Sequence, residues 1–186
     1  LEGNHLAAVS DSRLAAYRRE HLGFVFQDFN LLDTFSIRDN IFLPLVLARR
    51  SPKEMEQRLA PIAKELGISE ILDKFPYEVS GGQKQRAAVA RALIPNPRLL
   101  LADAPTGALD SHSTDSLLRI FERLNAEGQT ILMVTHSTRA ASHASRVLFI
   151  KDGIVFHQSY RGGLRSEDMY QKISDALTVL ASKGDQ

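Results

Sequence analysis

The sequence predicts an α/β protein built on a parallel sheet with helices on its faces. Short apolar runs rich in β-branched and aromatic residues recur at Leu22–Phe26, Leu99–Ala102, Thr130–Val134 and Arg146–Ile150. Stretches of helical periodicity lie between them, and strand–helix–strand alternation calls for parallel neighbours joined by crossovers. The chain has 186 residues, 44% of them hydrophobic, which suits one domain with a real core.

In chain order, residues 11–20 read as a short polar helix with Leu14 and Tyr17 on one face. Leu22-Gly23-Phe24-Val25-Phe26 is a buried strand that ends at polar Gln27-Asp28. From Pro52 to Leu66, the apolar residues Met55, Leu59, Ile62 and Leu66 recur at helical spacing, and Gly67 stops the helix. Residues 83–94 form an alanine-rich helix, ended by Pro95 and Pro97. Leu99–Ala102 is the next strand. Thr114, Leu117, Leu118, Phe121 and Leu124 then mark a helix that closes near Gly128. Thr130–Val134 and Arg146–Ile150 continue the alternation, so both are expected in the parallel sheet. Asp152-Gly153 is a hairpin turn signal. Residues 166–181 read as a terminal amphipathic helix, with Met169, Ile173, Leu177 and Leu180 on one face and Glu167 and Asp168 at its positive end.

Composition removes several function classes. A net charge of +1, with acids and bases interspersed, gives no electrostatic footprint for nucleic acid and no polybasic membrane patch. The absence of cysteine removes disulfides, thiol catalysis and cysteine-ligated metals. The longest apolar stretch, Ile41–Ala48, contains Pro44 and is far too short to cross a bilayer.

Four places carry chemistry. Ser80-Gly81-Gly82-Gln83 opens a helix. Its glycines allow close approach of a ligand, and a helix N-terminus suits an anion such as phosphate. An ordinary loop before a helix uses the same residues, and the continuation Lys84-Gln85-Arg86-Ala87 sharpens the ligand reading. Asp103 ends a buried parallel strand, where open α/β sheets bind their ligands and nucleotide hydrolases hold Mg²⁺. The alternative is a strand-end aspartate capping the turn that Pro105 and Gly107 already favour. His136 follows the strand Thr130–Val134; its position alone lifts it above His5, His21, His112, His143 and His157. Gln27, at a strand end, orients water, ligates Mg²⁺ or simply caps the strand; in isolation the capping reading wins.

Together these residues resemble the ATP-binding cassette (ABC) ATPases. Gln27 is similar to the family's Q-loop glutamine, and Val79-Ser80-Gly81-Gly82-Gln83 to its signature motif, usually begun by leucine. Leu99–Asp103 resembles Walker B, Ala108-Leu109-Asp110 the D-loop, and His136 the switch histidine. All five stand in the family's order between residues 22 and 137. Within the family, Phe24–Leu32 with Asn40–Leu45, and Ala102–Asp110, look like the lipoprotein-release, macrolide-export and antimicrobial-peptide-resistance subgroup. Leu32-Asp33-Thr34 and Phe149–Gly153 look like its bacitracin-resistance type.

The resemblance implies an α/β, P-loop NTPase-type parallel sheet with flanking helices plus a helical subdomain, truncated at its N-terminus. Residues 1–27 would be a remnant of the core subdomain, 28–79 the helical subdomain and its linkers, 80–160 the rest of the core, and 161–186 a C-terminal helix. It also implies ATP and Mg²⁺ as ligands, with two such domains facing head to tail as a homodimer. Ser80, Gly81, Gly82 and Gln83 of one domain would meet the γ-phosphate of ATP held by the other. Gln27 and Asp103 would hold Mg²⁺ or its waters, His136 would contact the γ-phosphate, and Asp110 would link the two sites. A transmembrane permease would dock on the helical subdomain, which places the protein peripherally on the cytoplasmic face of the membrane.

Two departures modify this. No glycine is followed by Lys and then Ser or Thr, so the family's phosphate loop is absent from these residues. Leu1 in place of methionine adds the expectation that the chain was cut from something longer. Without the strand that leads into that loop, the sheet is expected to keep an unpaired apolar edge, leaving the chain unstable, aggregated or strand-swapped. Ala104 stands where the family carries the glutamate that polarises the attacking water. It reads as an engineered change that traps ATP or as a naturally inactive paralogue, and the chain itself is expected to be catalytically dead. The alternative is a non-catalytic regulatory or assembly module that pairs with a complete ATPase domain. DNA-repair and chromosome-handling relatives fit poorly, because only about fifty ordinary residues separate Gln27 from Ser80.

Overall fold

A computed structural model of the chain describes residues 11–183, with side chains over 14–179. His5 and the first ten residues of the 1–27 segment lie outside the described residues, as does the side chain of Leu180. The chain divides into two compact units, 1–134 and 135–186.

In the first unit, helix α1 (Asp11–His21) leads directly into strand β1 (Leu22–Val25). Helices α2 (Ile37–Leu47), α3 (Pro52–Glu65) and α4 (Gly81–Leu93) follow, with short 3₁₀ turns at 69–71 and 76–78. Strand β2 (Leu99–Asp103), helix α5 (Ser111–Ala126) and strand β3 (Thr130–Val134) complete it. The strands form one sheet in the order β1-β2-β3, all parallel, with Val25 opposite Ala102 and Asp103 opposite Val134.

Local chemistry sets most boundaries. Ser51 caps α3, its hydroxyl accepting the Glu54 N–H at 3.3 Å, and Pro52 follows at the first helical position. Gly67 ends the helix at φ +62, and the Ile68 N–H donates back to Ala63 O at 2.9 Å. Gly128, at φ +101, closes α5 in the same way. Helix α2 was not expected. Pro44 lies inside it and withholds a helical donor, yet Ile37, Ile41, Phe42 and Leu45 are buried, and that burial outweighs the local preference.

Helix α4 is the hub of the unit and packs on α2, α3, α5 and β1. Its alanines let neighbours approach closely: Ala87, Ala88, Val89 and Ala90 are all fully buried. Gly23 of β1 belongs to this contact, because a Cβ there would stand 2.5 Å from the Ala92 carbonyl oxygen. The helix-covered face of the sheet carries Val25, Leu100 and Ala102. Phe24, Phe26, Leu132 and Val134, at 38%, 38%, 53% and 59% exposure, remain open to solvent.

The second unit contains the short helix α6 (Thr138–Ala141), strands β4 (Arg146–Lys151) and β5 (Ile154–Tyr160), and helix α7 (Ser166–Lys183). It corrects one expectation. The 146–150 strand does not join the parallel sheet; it pairs antiparallel with β5 through the Asp152-Gly153 turn. Asp152 and Gly153 sit at φ +52 and +78, the left-handed pair that a tight hairpin requires. The terminal helix forms as expected, and Met169 and Ile173 are buried beside Phe149. Leu177 is 45% exposed, so the apolar stripe is shorter than the periodicity indicates.

Candidate functional site

Ser80 is the N-cap of α4. Its Oγ accepts the Gln83 N–H at 3.3 Å, and Gln83 Oε1 accepts the Ser80 N–H at 2.9 Å. This reciprocal box commits the Gln83 side chain to the helix end. Gly81 and Gly82 are therefore the first two residues of the helix rather than a loop before it, and their N–H groups have no partner within it. Gly81 is exposed, and a Cβ built there would meet the Phe29 ring at 3.9 Å and Ala108 O and Leu109 Cδ2 at 4.0 Å, ordinary contact distances. Gly82 is buried, and a Cβ would meet Ser113 Oγ at 2.6 Å. One glycine leaves the positive helix end accessible to an anion, and the other lets α4 start against α5.

That α5 start is Asp110. Its Oδ1 accepts the Ser113 N–H at 2.9 Å and its Oδ2 accepts the Ser113 hydroxyl at 2.7 Å. These bonds, the backbone one foremost, hold its carboxyl below the usual carboxylate range. Ser113 thus touches both Asp110 and the start of α4.

Gln27 leaves β1 two residues beyond the Val25–Ala102 pair, and Asp103 ends β2 beside it. Both are exposed, and neither side chain has a hydrogen-bond or ion-pair partner among the described residues. The Gln27 amide lies over Gly107, where a Cβ would come within 2.8 Å of Cδ and 3.0 Å of Oε1. One free carboxylate and one free amide oxygen at adjacent strand ends suit Mg²⁺, which takes few protein ligands and fills its shell with phosphate and water. Among the described residues no three His, Cys, Asp or Glu side chains gather as metal ligands, so these residues do not build a closed cage.

Ala104 follows at φ +41, a left-handed backbone at a non-glycine residue. Its N–H donates to Val134 O at 2.9 Å and its carbonyl accepts the Gly107 N–H at 2.9 Å, so the turn is held from both sides. Its methyl group offers no proton acceptor. His136 opens the second unit, is exposed, and immediately precedes Ser137, whose hydroxyl caps α6.

Three polar residues matter here that hold no individual role in the sequence reading, Gln85 and Asn40 standing there only within longer stretches. Gln85 is fully buried on α4, and its Nε2 donates to Phe26 O at 3.2 Å and Pro105 O at 2.6 Å. Arg91, a turn and a half further on, donates to Phe29 O at 2.8 Å and to Asn30 O. Asn40 is fully buried on α2. Its Oδ1 accepts the Leu32 N–H at 2.7 Å, and its Nδ2 donates to Leu32, Phe35 and Ser36 carbonyls at 3.0, 3.1 and 2.9 Å. The available signal was a polar residue set among alanines or apolar residues on a buried helix face.

Among the described residues no helix is long and apolar enough to cross a membrane. A parallel sheet with helices on its flank, with a capped helix start and two unengaged polar side chains at neighbouring strand ends, defines a protein of the α/β class. The chain belongs to the ABC transporter family, whose pattern matches residues 2–107. It is 52% identical over 181 residues to the uncharacterized ABC transporter ATP-binding protein YvcR of Bacillus subtilis, covering 97% of this chain and 70% of that protein. It is 45% identical over 181 residues to the bacitracin export ATP-binding protein BceA of Halalkalibacterium halodurans, covering 97% and 72%. The dimeric structure of MJ0796, a bacterial ABC transporter cassette, superposes with a TM-score of 0.72 at 38% identity, covering 82% of this chain and 68% of that one. The same cassette is known in a dimeric post-hydrolysis state bound to ADP and Pi.

Proposed function

We propose that this chain is part of an ATP-binding and ATP-hydrolysing subunit that powers an export or antimicrobial-peptide-resistance transporter. The observation that carries the reading is the open start of α4 together with unengaged Gln27 and Asp103 at adjacent strand ends. Ser80, Gly81 and Gly82 donate to the γ-phosphate of ATP bound by a second copy, with Gln83 shaping that helix end. Gln27 and Asp103 hold Mg²⁺, which supplies charge neutralisation on the β- and γ-phosphates. His136 meets the γ-phosphate, and Asp110 reaches across the pair. Segments 1–27 and 80–160 serve as the nucleotide core and 28–79 as the subdomain that docks on a permease at the cytoplasmic face of the membrane. Nucleic acid is not a partner in this reading.

Ala104 together with the phosphate loop missing from these residues makes the chain as written catalytically silent; general-base loss alone costs about 10²–10⁴ in rate. The same residue favours a second reading, a non-catalytic module that lends its signature face to a complete domain. Phosphate release by the purified chain with MgATP is expected at the level of a blank; turnover above it overturns the silent assignment. Sedimentation with a complete ATP-binding protein of the family, with and without MgATP, tests the shared core of both readings. Nucleotide-dependent pairing abolished by Ser80→Arg is the expected result. No pairing, or pairing indifferent to nucleotide, overturns it. A rise in the complete partner's turnover on pairing selects the module.

A further inference from the structure

We propose that Gln85 and Arg91 are positioning residues that bracket Gln27 and bind the chain leaving β1 to the signature helix, so that the two move as one body. Gln85 holds the residue before Gln27, through Phe26 O at 3.2 Å, and reaches Pro105 O, just past Ala104, at 2.6 Å. Arg91 holds the residues two and three after Gln27, through Phe29 O and Asn30 O. Both donors stand on α4, the helix that Ser80 and Gly81 open.

The backbone between these anchors explains why anchors are needed. Phe29 and Asn30 stand at φ +61 and +48, two consecutive non-glycine residues in left-handed conformation. Such residues persist only where their surroundings over-determine them. Here the kink is closed by the Asn30 N–H donating to Asp28 O at 2.6 Å and by the planar fork of one guanidinium on two successive carbonyls. Burial pulls the Arg91 pKa down, but an arginine stays charged at any ordinary pH, so the clamp does not titrate away. Gln85 is fully buried, which leaves its carboxamide no alternative solvent partner. Gln27 itself, exposed and without a partner, owes its position to its neighbours on both sides.

The consequence is mechanical. A shift of Gln27 drags the start of α4, and a ligand seated on Gly81 and Gly82 resists movement of Gln27. The functional weight of this coupling rests on the proposed roles of Gln27 and Ser80, but the bracket itself is testable without nucleotide.

The experiment is backbone hydrogen exchange on the full 186-residue chain and on Gln85→Met, Arg91→Met and the milder Arg91→Lys. Lysine keeps the charge but cannot fork two carbonyls. Exchange over residues 27–31 is expected to rise about tenfold in each variant, while α3 keeps its protection as the internal control for folding. Asn30→Gly, which tolerates the left-handed backbone, is expected to recover part of the protection lost in Arg91→Lys. Unchanged exchange at 27–31 in variants that keep α3 protected overturns the proposal. So does a rise spread evenly over the unit. MgATP-dependent pairing is read on the same variants and on Gln27→Ala. Weakened pairing in all of them supports positioning. Pairing that falls in Gln27→Ala alone overturns it. Pairing unmoved in any of them, with exchange raised at 27–31, leaves the bracket standing and removes the nucleotide role of Gln27 instead.

Discussion

Gly82 and Gly107 both lack room for a Cβ, and their neighbours differ in how they can respond. A Cβ on Gly82 meets Ser113 Oγ at 2.6 Å and Ser113 Cβ at 3.0 Å. Ser113 cannot rotate away without giving up its bond to Asp110 Oδ2, so the strain falls on the α4–α5 contact. Gly82→Ala is therefore expected to cost about 1–3 kcal/mol, the usual range for overpacking a buried contact. A Cβ on Gly107 meets only the far end of the Gln27 side chain, and no left-handed backbone adds strain there. Gly107→Ala should cost less than about 0.5 kcal/mol and instead move the Gln27 amide off its site. Urea unfolding of both variants, alongside their MgATP-dependent pairing, separates the cases. Equal losses of stability would contradict the difference in neighbours. The same distinction shows what a motif reveals. The types Ser-Gly-Gly-Gln, Asp103 and Asp110 were legible because each acts through local chemistry: a helix start, a strand end, a cap. The roles of Gln85 and Arg91 were not, because they bond to carbonyls 20 to 62 residues away, and only the fold brings those within reach.

At the scale of elements, strands β1, β2 and β3 and helices α3, α4, α5 and α7 were legible because composition and punctuation agreed. Serine or aspartate opens α3, α4 and α5, and a glycine follows α3 and α5. Helix α2 and the partner of β4 were not, because there a local signal opposed a distant one. In α2, Pro44 argues for an ending, and the buried Ile41, Phe42 and Leu45 argue for continuation. In β4, alternation with helices suggested a parallel strand, while the Asp152-Gly153 turn supplied a nearer antiparallel partner. Sheet partners at short sequence separation need little loop closure. The element most exposed to a single change is the α2 entry, because the Asn40 side chain binds one N–H and three carbonyls of residues 32–36, and for the Leu32 N–H and the Phe35 carbonyl no backbone bond stands beside it. Asn40→Ala removes the side-chain partner of the Leu32 N–H and the Phe35 carbonyl in a part-buried site, while Leu32 O and Ser36 O keep backbone donors, and is expected to cost about 1–3 kcal/mol. Thermal unfolding checks the magnitude. A loss below the error of the measurement would mean that water replaces the carboxamide without penalty, and that the linker owes its shape to Ser36 and the Arg38 ion pairs with Glu56 and Asp73.

The first unit as a whole is a parallel sheet with helices packed on one face. Parallel strands are normally buried on both faces, because their crossovers supply helices to each. Here the second face presents Phe24 and Phe26, whose rings stack 6.1 Å apart, together with Leu132 and Val134. Leu101 of β2 stands in register between Phe24 and Leu132, so residues of β1, β2 and β3 form a contiguous apolar patch rather than scattered surface residues. Among the described residues, strands β1 and β3 are the sheet's outer members, and each carries a row of backbone groups on its outer side that no described strand pairs. Apolar area and unpaired strand edges in the same place favour association of the 186-residue chain with its own copies. Light scattering should accordingly report particles larger than a monomer, growing with protein concentration. Leu132→Glu and Val134→Lys put charges on the open face without touching the helix-covered face, so each is expected to reduce association several-fold while leaving far-ultraviolet dichroism unchanged. A monomer that melts cooperatively over the whole concentration range would overturn the expectation. If the charged variants associate as strongly as the parent, the apolar face is not the surface that associates. The backbone edge of β3 then becomes the contact to test, by introducing a proline at Ile131 or Met133, whose amides point away from β2, because strand pairing needs the amide donors that proline removes.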